Sequence, residues 1–364
     1  MTDAARFRAE FPVLDRVSYL NAGTEGPLSR RAAEAVKQRI EAEVTGGRAG
    51  KAYSEGIMDL AARLRAGYAA VLHCAPESVA LTGSTTDGVN TVIAGLELHA
   101  GEEILTSDEE HPGLLAPLAR AQRRHGIIVR VAPFAELAAA VTPATRLVAT
   151  SHVSWVSGRV IDDAALRATR VPFLLDAAQG IGAVPVDVAA LGCTYYAASG
   201  QKWLSGPEGS GCLYVASEAL DTLTVPWPGY GSLADPGDAL HSGPAETAKR
   251  LDLGFPSGLR SVWALASLAV LEQAGWEWVH ARAADLAAGL AAELAERGLE
   301  VGPRDRTTLV SWHADDPDAE VSRLRAAGFV VRSIPSHSYL RASVGAWSSA
   351  DELTELARLA AAPG

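Results

Sequence analysis

The chain has few cysteines, methionines and lysines. Its 364 residues include 3 cysteines and 2 methionines. Cys74, Cys193 and Cys212 are far apart and form no Cys-x-x-Cys pair, which excludes a disulfide framework and favours a reducing, cytoplasmic location. No histidine and cysteine spacing is typical of a metal site, so we expect no metal.

The sequence also has no block of basic residues and no long apolar run. Its net charge is −11, which argues against a nucleic-acid partner. The longest apolar stretch, Val262 to Leu271, is too short to cross a bilayer, so we expect no membrane partner. The first sixteen residues carry charges throughout, and we expect no signal peptide there.

Short apolar runs alternate with amphipathic helical stretches through the middle of the chain. This rhythm predicts an α/β fold with a mainly parallel seven-stranded sheet and helices on both faces. We expect a large domain over residues 20–240, a small C-terminal α+β domain over residues 255–364, and residues 1–19 packing on the small one. The predicted strands are Val79–Gly83, Glu103–Thr106, Ile127–Val131, Arg146–Ser151, Pro172–Leu175, Thr194–Ala198 and Gly211–Val215.

Two predicted strands end next to residues that suit one cofactor. Asp176 and Gln179 follow one strand, and Lys202 follows another. Pyridoxal 5'-phosphate (PLP) needs an amine for a Schiff base and an acid beside its ring nitrogen. A lysine is usually a solvated surface residue, but Lys202 follows a buried strand, and desolvation would lower its pKa and favour imine formation. A buried Asp176 needs a partner, either an arginine, a helix N-terminus or the pyridinium N–H. Gln179 is either a solvated turn residue or a donor to the ring oxygen.

Hydroxyl groups precede a predicted helix at Ser84, Thr85 and Thr86. Hydroxyls and backbone N–H groups at a helix N-terminus bind phosphate well, although such a motif is more often only a helix cap. Ser199, just before Lys202, adds a hydroxyl that would reach the same phosphate. The sequence therefore suggests a phosphate site beside the lysine.

Three further side chains are candidates for contacts with a ring or a carboxylate. His111 follows another predicted strand end, where an imidazole would stack on a cofactor ring; alone, it would more often be a surface histidine. Arg332 and Arg341 bracket the last strands and would form a bidentate clamp on an amino-acid carboxylate, although most arginines are solvated.

Taken together, the chain resembles the class V aminotransferase group of fold-type I PLP enzymes, which includes cysteine desulfurases and cystine C–S lyases. The resemblance runs from Leu20-Asn21-Ala22-Gly23 to Arg341-Ala342-Ser343. Its most specific motifs are Thr85-Thr86-Asp87-Gly88-Val89-Asn90, Glu110-His111-Pro112, Asp176-Ala177-Ala178-Gln179 and Ser199-Gly200-Gln201-Lys202. It implies the PLP-dependent transferase fold type I, a homodimer, and a small-molecule amino-acid substrate.

The resemblance also implies residue roles. Lys202 would hold PLP, Asp176 would meet the ring nitrogen, Gln179 the ring oxygen, and His111 would stack on the ring. Phosphate would be bound by Thr85, Thr86 and Ser199, with Ser84 and Gln201 beside them. Arg341 would bind the substrate carboxylate. Apart from the resemblance, Arg332, Ala22, Gly23 and Trp155 are candidates for substrate binding, and the candidates for the pocket of the substrate side chain are Tyr19, Glu25, Tyr53, Trp227 and Tyr230.

The departures from the family pattern bear on the reaction. Desulfurases carry a mobile, sulfur-accepting cysteine between the two last arginines, but Ser333–Leu340 contains none. Trp155 stands where desulfurases usually have asparagine, and this tryptophan is more like the cystine C–S lyases. Gln201 replaces the usual histidine before the lysine. The threonine that a partner subunit commonly offers to the phosphate is not evident near residues 254–257, where Arg250, Ser257 or a backbone N–H would have to serve instead.

We therefore expect a C–S β-lyase acting on cystine, a cysteine persulfide or an S-substituted cysteine. Lys202 would leave its imine, remove the α-proton and allow β-elimination to aminoacrylate, which yields pyruvate and ammonia. An epimerase or a class V aminotransferase would use the same cofactor residues and remains an alternative. A cysteine desulfurase is disfavoured by the missing cysteine, and a non-catalytic regulator by the intact Lys202 and Asp176.

Overall fold

The computed structural model describes residues 3–362. Its α-helices are α1 (Asp3–Arg8), α2 (Arg30–Gly46), α3 (Lys51–Leu72), α4 (Thr85–Gly95), α5 (Pro112–His125), α6 (Leu137–Ala140), α7 (Asp163–Thr169), α8 (Val188–Leu191), α9 (Gly258–Ala274), α10 (Trp276–Glu296), α11 (Pro317–Ala326) and α12 (Ala350–Ala360). Its strands are β1 (Ser18–Tyr19), β2 (Val79–Thr82), β3 (Glu103–Ser107), β4 (Ile128–Ala132), β5 (Thr145–Ser151), β6 (Phe173–Asp176), β7 (Tyr195–Ser199), β8 (Gly211–Val215), β9 (Leu309–His313), β10 (Phe329–Val330), β11 (Arg332–Ser333) and β12 (Tyr339–Ser343).

A seven-stranded sheet forms the centre of the larger part, in the order β2-β8-β7-β6-β5-β3-β4. The strands from β7 to β4 run parallel, whereas β8 is antiparallel to both of its neighbours. The α/β fold with a mostly parallel sheet is therefore confirmed, and the seven predicted strands correspond to β2–β8. Parallel strands place their carboxyl ends at one edge, which is where ligands bind in such sheets.

Both faces of this sheet are covered by helices. Neighbouring residues on one strand belong to two different hydrophobic clusters: Leu174 packs in one and Leu175 in the other, as Tyr195 and Tyr196 do on the next strand. This alternation is the period-two pattern of a strand. Because both faces are apolar, the strands appear in the sequence as continuous hydrophobic runs rather than as alternating ones.

Helix α4 lies unusually close to the sheet. A Cβ atom built on Gly88 would lie 2.8 Å from the Cβ of Ala197 in β7. The helix begins two residues before its predicted start at Asp87, because the Ser84 hydroxyl accepts a hydrogen bond from the Asp87 N–H at 3.1 Å. The close approach brings the first turn of α4 to the carboxyl end of β7.

A second, smaller group of elements contains the last strands. Strands β11, β12 and β9 form an antiparallel sheet, and β1 pairs with β10 in parallel. The predicted continuous strand Gly328–Ser333 is thus two short strands with different partners. The first of them pairs with Ser18 and Tyr19, about 310 residues earlier in the chain, and local sequence patterns cannot reveal such a partner.

We propose the division into a large domain over residues 20–240 and a small one over residues 255–364, with residues 1–19 on the small one. The two separate sheets support it, as do the hydrogen bonds from Arg8 to the Trp347 carbonyl at 2.8 Å and to Glu352. Residues 1, 2, 363 and 364 of these ranges lie outside the described residues. Within residues 3–362, no helix combines the length and the apolarity needed to cross a membrane.

The close packing of α4 gives a stability prediction. Replacing Gly88 with alanine places a methyl group against Ala197, so we expect the free energy of unfolding to fall by about 1–3 kcal/mol. Gly289 in α10 is exposed, and a Cβ there meets nothing within 4 Å. Gly289→Ala should therefore raise stability by about 0.5–1 kcal/mol. Urea unfolding of both variants measures the difference, and equal effects would contradict the account.

Candidate active site

A cavity of about 240 Å³ opens at the carboxyl ends of the parallel strands. It brings together the candidate cofactor and substrate residues except Ala22. Of the candidates for the substrate side chain, it includes Glu25 but not Tyr19, Tyr53, Trp227 or Tyr230. The lining residues are Gly23, Thr24, Glu25, Ser84, Thr85, Thr86, His111, Trp155, Asp176, Ala178, Gln179, Ser199, Gln201, Lys202, Arg332 and Arg341. These residues come from eight separate segments of the chain, which the ends of the parallel strands and strands β11 and β12 draw together.

Asp176 and Lys202 are buried groups of opposite charge in the cavity, and each affects the pKa of the other. Asp176 ends β6, is 5% exposed, and accepts a hydrogen bond from the Ala178 N–H at 3.0 Å. Burial raises the pKa of Asp176, while Lys202 and the Ala178 N–H oppose that rise. Burial lowers the pKa of Lys202 to about 8, with Asp176 opposing the change and the two arginines adding to it. A neutral amine is therefore accessible near physiological pH.

The backbone on both sides of Lys202 is held in place. The Gly26 N–H donates to the Gln201 carbonyl at 2.7 Å, and a Cβ on Gly26 would lie only 2.2 Å from the Lys202 carbonyl oxygen. Ser205 has a left-handed φ of 53° and donates its N–H to that same carbonyl at 3.0 Å. The Ser205 carbonyl in turn accepts from Ser267 of α9 at 2.7 Å. The lysine thus projects from a tightly packed turn.

Gln179 is buried, which excludes a solvated turn residue. It is 4% exposed, its Nε2 donates to the Gly23 carbonyl at 2.8 Å, and its Oε1 accepts from the Trp203 indole at 2.9 Å. An amide nitrogen carries two hydrogens, so one remains available for a ligand. Gly23 leaves room for this contact, because a Cβ there would lie 3.0 Å from Gln179 Oε1 and 2.7 Å from Arg341 Nη2.

The first turn of α4 and the end of β7 form a cluster of hydroxyl groups. Ser84 caps the helix, and Ser199 Oγ accepts from the Thr85 N–H at 3.0 Å and lies 2.7 Å from Thr85 Oγ1. A helix N-terminus surrounded by hydroxyl groups favours an anion. Gln201 lies nearby, and its buried Oε1 has no hydrogen-bond partner within residues 3–362.

His111 lies at the N-terminus of α5 and is neutral. Its Nδ1 accepts from the Gly113 N–H at 3.0 Å, which places the ring proton on Nε2. The ring meets Trp155 edge to face, with 4.9 Å between the centroids. His111 remains partly exposed. Partial desolvation nevertheless lowers the pKa of His111 to about 4, and the charges of Lys202, Arg332 and Arg341 add to this shift.

Arg332 and Arg341 are direct cross-strand partners in β11 and β12. Arg341 is fully buried and donates from Nη1 to the Trp155 carbonyl at 2.8 Å, while its Nε and Nη2 have no partner in the described part of the chain. Burial and the neighbouring Arg332 lower the pKa of Arg341 to about 9. Arg332 is partly buried and donates to Thr24 Oγ1 at 3.0 Å. A buried guanidinium with unpaired donors fits an anionic ligand.

Some residues differ from the sequence expectation. The Ala22 side chain is fully buried in the hydrophobic core and does not line the cavity, so any contact would have to come from its backbone. Tyr53 packs against Arg39, while Trp227 and Tyr230 are 51% and 76% exposed outside the cavity. Thr24 and Ala178 also line the cavity, but the sequence analysis gave them no role, although Thr24 follows Gly23 and Ala178 lies inside the Asp176–Gln179 motif.

Arg250 and Ser257, the side chains expected to replace the threonine at the phosphate, make other contacts within the chain. Arg250 donates to the Leu220 carbonyl and pairs with Asp221 at 3.5 Å. Ser257 caps α9 by accepting from the Arg260 N–H at 3.4 Å. Neither side chain lines the cavity.

The segment between the two arginines is a tight turn. The Ile334 N–H donates to the Tyr339 carbonyl at 2.9 Å, and the His337 N–H donates to the Ile334 carbonyl at 3.1 Å. Cys193 and Cys212 are buried and Cys74 is partly buried, and all lie outside the cavity lining. Burial raises the pKa of Cys74 to about 11, that of Cys193 to about 12, and also that of Cys212, which disfavours a thiolate.

Known proteins resemble this chain in sequence and in fold. Isopenicillin N epimerase from Amycolatopsis lactamdurans is 32% identical over 64% of this chain and 62% of its own length. Cysteine desulfurase from Klebsiella pneumoniae (strain 342) is 35% identical over 63% of this chain and 61% of its own. The matched part is thus less than two thirds of either relative.

Two solved structures of C-DES match over nearly the full chain. One is a mutant with glycine covalently linked to its PLP cofactor, with a TM-score of 0.93, 28% identity and coverage of 98% of this chain and 99% of that one. The other is a complex of the cystine C–S lyase C-DES with its reaction product cysteine persulfide, with a TM-score of 0.91, 29% identity and coverage of 96% and 99%. A family model described as Aminotransferase class-V matches residues 19–354. The chain belongs to the aminotransferase class-V family.

Proposed function

We propose that this protein is a PLP-dependent C–S β-lyase acting on cystine, a cysteine persulfide or an S-substituted cysteine. The cofactor is pyridoxal 5'-phosphate, in line with the family and with the PLP-linked structural neighbour. The observation that carries the choice of reaction is an intact PLP-type cavity with no cysteine in its lining.

The cavity residues fit PLP group by group. Lys202 offers a partly neutral amine for the aldehyde, and Asp176 is a buried carboxylate that needs a cationic partner such as the ring N–H. The free N–H of Gln179 would meet the ring oxygen, and His111 would cover the ring face. The phosphate would be held at the N-terminus of α4 by Ser84, Thr85, Thr86, Ser199 and Gln201.

The residues of the chain divide the remaining work between binding and proton transfer. Bound PLP supplies an electron sink for the charge that develops at the substrate α-carbon. Arg341 binds the substrate carboxylate through Nε and Nη2, and Arg332 supports it from the neighbouring strand. Lys202, whose pKa is lowered to about 8, would accept the α-proton at Nζ from a substrate held beside it. Gly23 and Trp155 line the space beside the substrate.

Elimination is favoured over transfer of sulfur to the enzyme. A persulfide mechanism needs a thiolate that reaches the substrate sulfur, but the turn between Arg332 and Arg341 is short and contains no cysteine. The three cysteines have raised pKa values and lie outside the cavity. Loss of the β-sulfur from the substrate, followed by release of pyruvate and ammonia, needs no enzyme thiol.

An amino-acid epimerase or a class V aminotransferase is the alternative function. The similarity to isopenicillin N epimerases favours it, since two such relatives are 32% and 34% identical to this chain. The cofactor residues would be the same in each case. The reaction product therefore separates these functions.

A cytoplasmic location stays a prediction. We also propose that the enzyme is a homodimer. Several large apolar side chains between residues 226 and 256 are exposed. They are Trp227 at 51%, Tyr230 at 76%, Leu240 at 93% and Phe255 at 66%. Exposed apolar groups concentrated in one segment are typical of an interaction surface.

The first prediction concerns the product. Purified holoenzyme incubated with cystine or an S-substituted cysteine should release pyruvate, and Lys202→Ala should abolish its release because no amine remains to take the α-proton. Lys249→Ala, which lies outside the cavity, is the control and should keep the activity. Racemised or transaminated substrate without pyruvate would reject the lyase proposal.

The second prediction concerns the charge of Asp176. Asp176→Asn keeps the volume but removes the anion beside the ring nitrogen, so kcat should fall by about 10²–10³-fold. Asp162→Asn, which changes the cap of α7 at the surface, should leave kcat unchanged. Steady-state kinetics with the same substrate compare them, and equal kcat values would contradict the role given to Asp176.

The third prediction concerns pH. Only the neutral amine of Lys202 attacks the aldehyde, so attachment of PLP to the apoenzyme should accelerate as the pH rises through about 8 and then level off. Because the Asp176 carboxylate raises the pKa of Lys202, Asp176→Asn should move the midpoint to lower pH. Stopped-flow absorbance follows the reaction. A rate still rising at about pH 10 would indicate an ordinary lysine and contradict this assignment.

A further inference from the structure

A tight turn beside the cavity is hydrogen-bonded to Glu109, which follows β3 of the seven-stranded sheet, and to β9 and β12 of the three-stranded sheet. We call residues 153–160 the Trp155 turn. It closes through a bridge between Val153 and Val160, a hydrogen bond from the Ser154 N–H to the Arg159 carbonyl at 2.8 Å, and one from the Gly158 N–H to the Ser154 carbonyl at 3.0 Å. Trp155 is 7% exposed and lies in the cavity lining.

Glu109 holds this turn from the side of the seven-stranded sheet. Its Oε2 accepts from the hydroxyls of Ser154 and Ser157, the latter at 2.5 Å. Ser154 and Ser157 are 0% and 5% exposed and Glu109 is half-buried, so these hydrogen bonds are partly shielded from water. Ser154 Oγ also accepts from the Val156 N–H at 3.2 Å and the Ser157 N–H at 3.1 Å. One carboxylate therefore organises the side chains that fold the turn.

The small domain holds the opposite side of the turn. Ser311 Oγ donates to the Val156 carbonyl at 2.7 Å, and Thr307 Oγ1 donates to the Gly158 carbonyl at 2.7 Å. Arg341 Nη1 donates to the Trp155 carbonyl at 2.8 Å. That is the one hydrogen bond of the Arg341 side chain within residues 3–362, so the position of the Trp155 carbonyl decides how the guanidinium points.

We propose that Glu109 is a positioning residue for substrate-carboxylate recognition. Through Ser154 and Ser157 it fixes the Trp155 turn, and the Trp155 carbonyl then presents Arg341 with its two unpaired donors toward the cavity. This inference rests on the proposed function only in requiring that Arg341 binds an amino-acid carboxylate. Glu109 does not line the cavity, so it acts through the turn rather than on the substrate.

The test compares two ligands that differ only in a carboxylate. Glycine and methylamine are titrated into the PLP-loaded holoenzyme, and binding is followed by the change in cofactor absorbance. Glu109→Ala should weaken glycine binding about tenfold or more, because a small displacement of a positioning group has large effects. Methylamine binding should not change. A merely structural defect would weaken both ligands together.

The partner serines and a neighbouring acid provide the controls. The double variant Ser154→Ala/Ser157→Ala should reproduce the selective loss, and adding Glu109→Ala to it should have little further effect because the groups act as one unit. Asp108→Asn removes a charge from the residue next to Glu109. Within residues 3–362 the Asp108 carboxylate accepts a side-chain hydrogen bond only from the Phe134 N–H, so this variant should keep wild-type glycine binding.

Two outcomes would overturn the proposal. One is unchanged glycine binding in Glu109→Ala; the other is an equal loss for glycine and methylamine. The glycine titration does not test the lyase proposal, because glycine has no β-sulfur to eliminate. An enzyme that forms no pyruvate from cystine would still show the glycine-selective loss if Glu109 has this role.

Discussion

The electrostatic pairing of Asp176 with Lys202 is the constraint on which the site depends. Burial raises the pKa of the acid and lowers that of the amine, and each charge opposes the shift of the other. Taking one such charge out of water alone would cost several kcal/mol. Because both groups lie at one edge of the sheet, each charge offsets part of the effect of burial on the pKa of the other. PLP needs both an anion beside its ring nitrogen and a neutral amine for its aldehyde, and Asp176 and Lys202 are suited to these two roles.

The sheet determines why these groups meet. Asp176 ends β6, and its Cα partner in β7 is Ala197, five residues before Lys202. The close packing of α4 on β7 places its N-terminus beside the same strand end, so the anion-binding turn and the lysine share one cavity. Strand β12 of the three-stranded antiparallel sheet adds Arg341. The Trp155 turn is hydrogen-bonded to Glu109 on one side and to Arg341 on the other.

Sequence patterns anticipated what is local or periodic. The seven strands of the large sheet are continuous apolar runs, and the polar residues that end them are read directly from the sequence. Long-range pairing was not predictable: the split of Gly328–Ser333 depends on Ser18 and Tyr19. The role of Glu109 was also hidden, because an acidic run before His111 is indistinguishable from a solvated turn until Ser154 and Ser157 are placed beside it. The burial of Ala22 depends on tertiary packing in the same way.

The most direct test of the account is to locate the covalent link to the cofactor. The holoenzyme is reduced with borohydride, digested, and analysed by mass spectrometry for the reduced pyridoxyl group. The account predicts the label on Lys202 and its absence from Lys37, Lys51 and Lys249. A label on any other lysine, or on none, would contradict the assignment of this cavity as a PLP site.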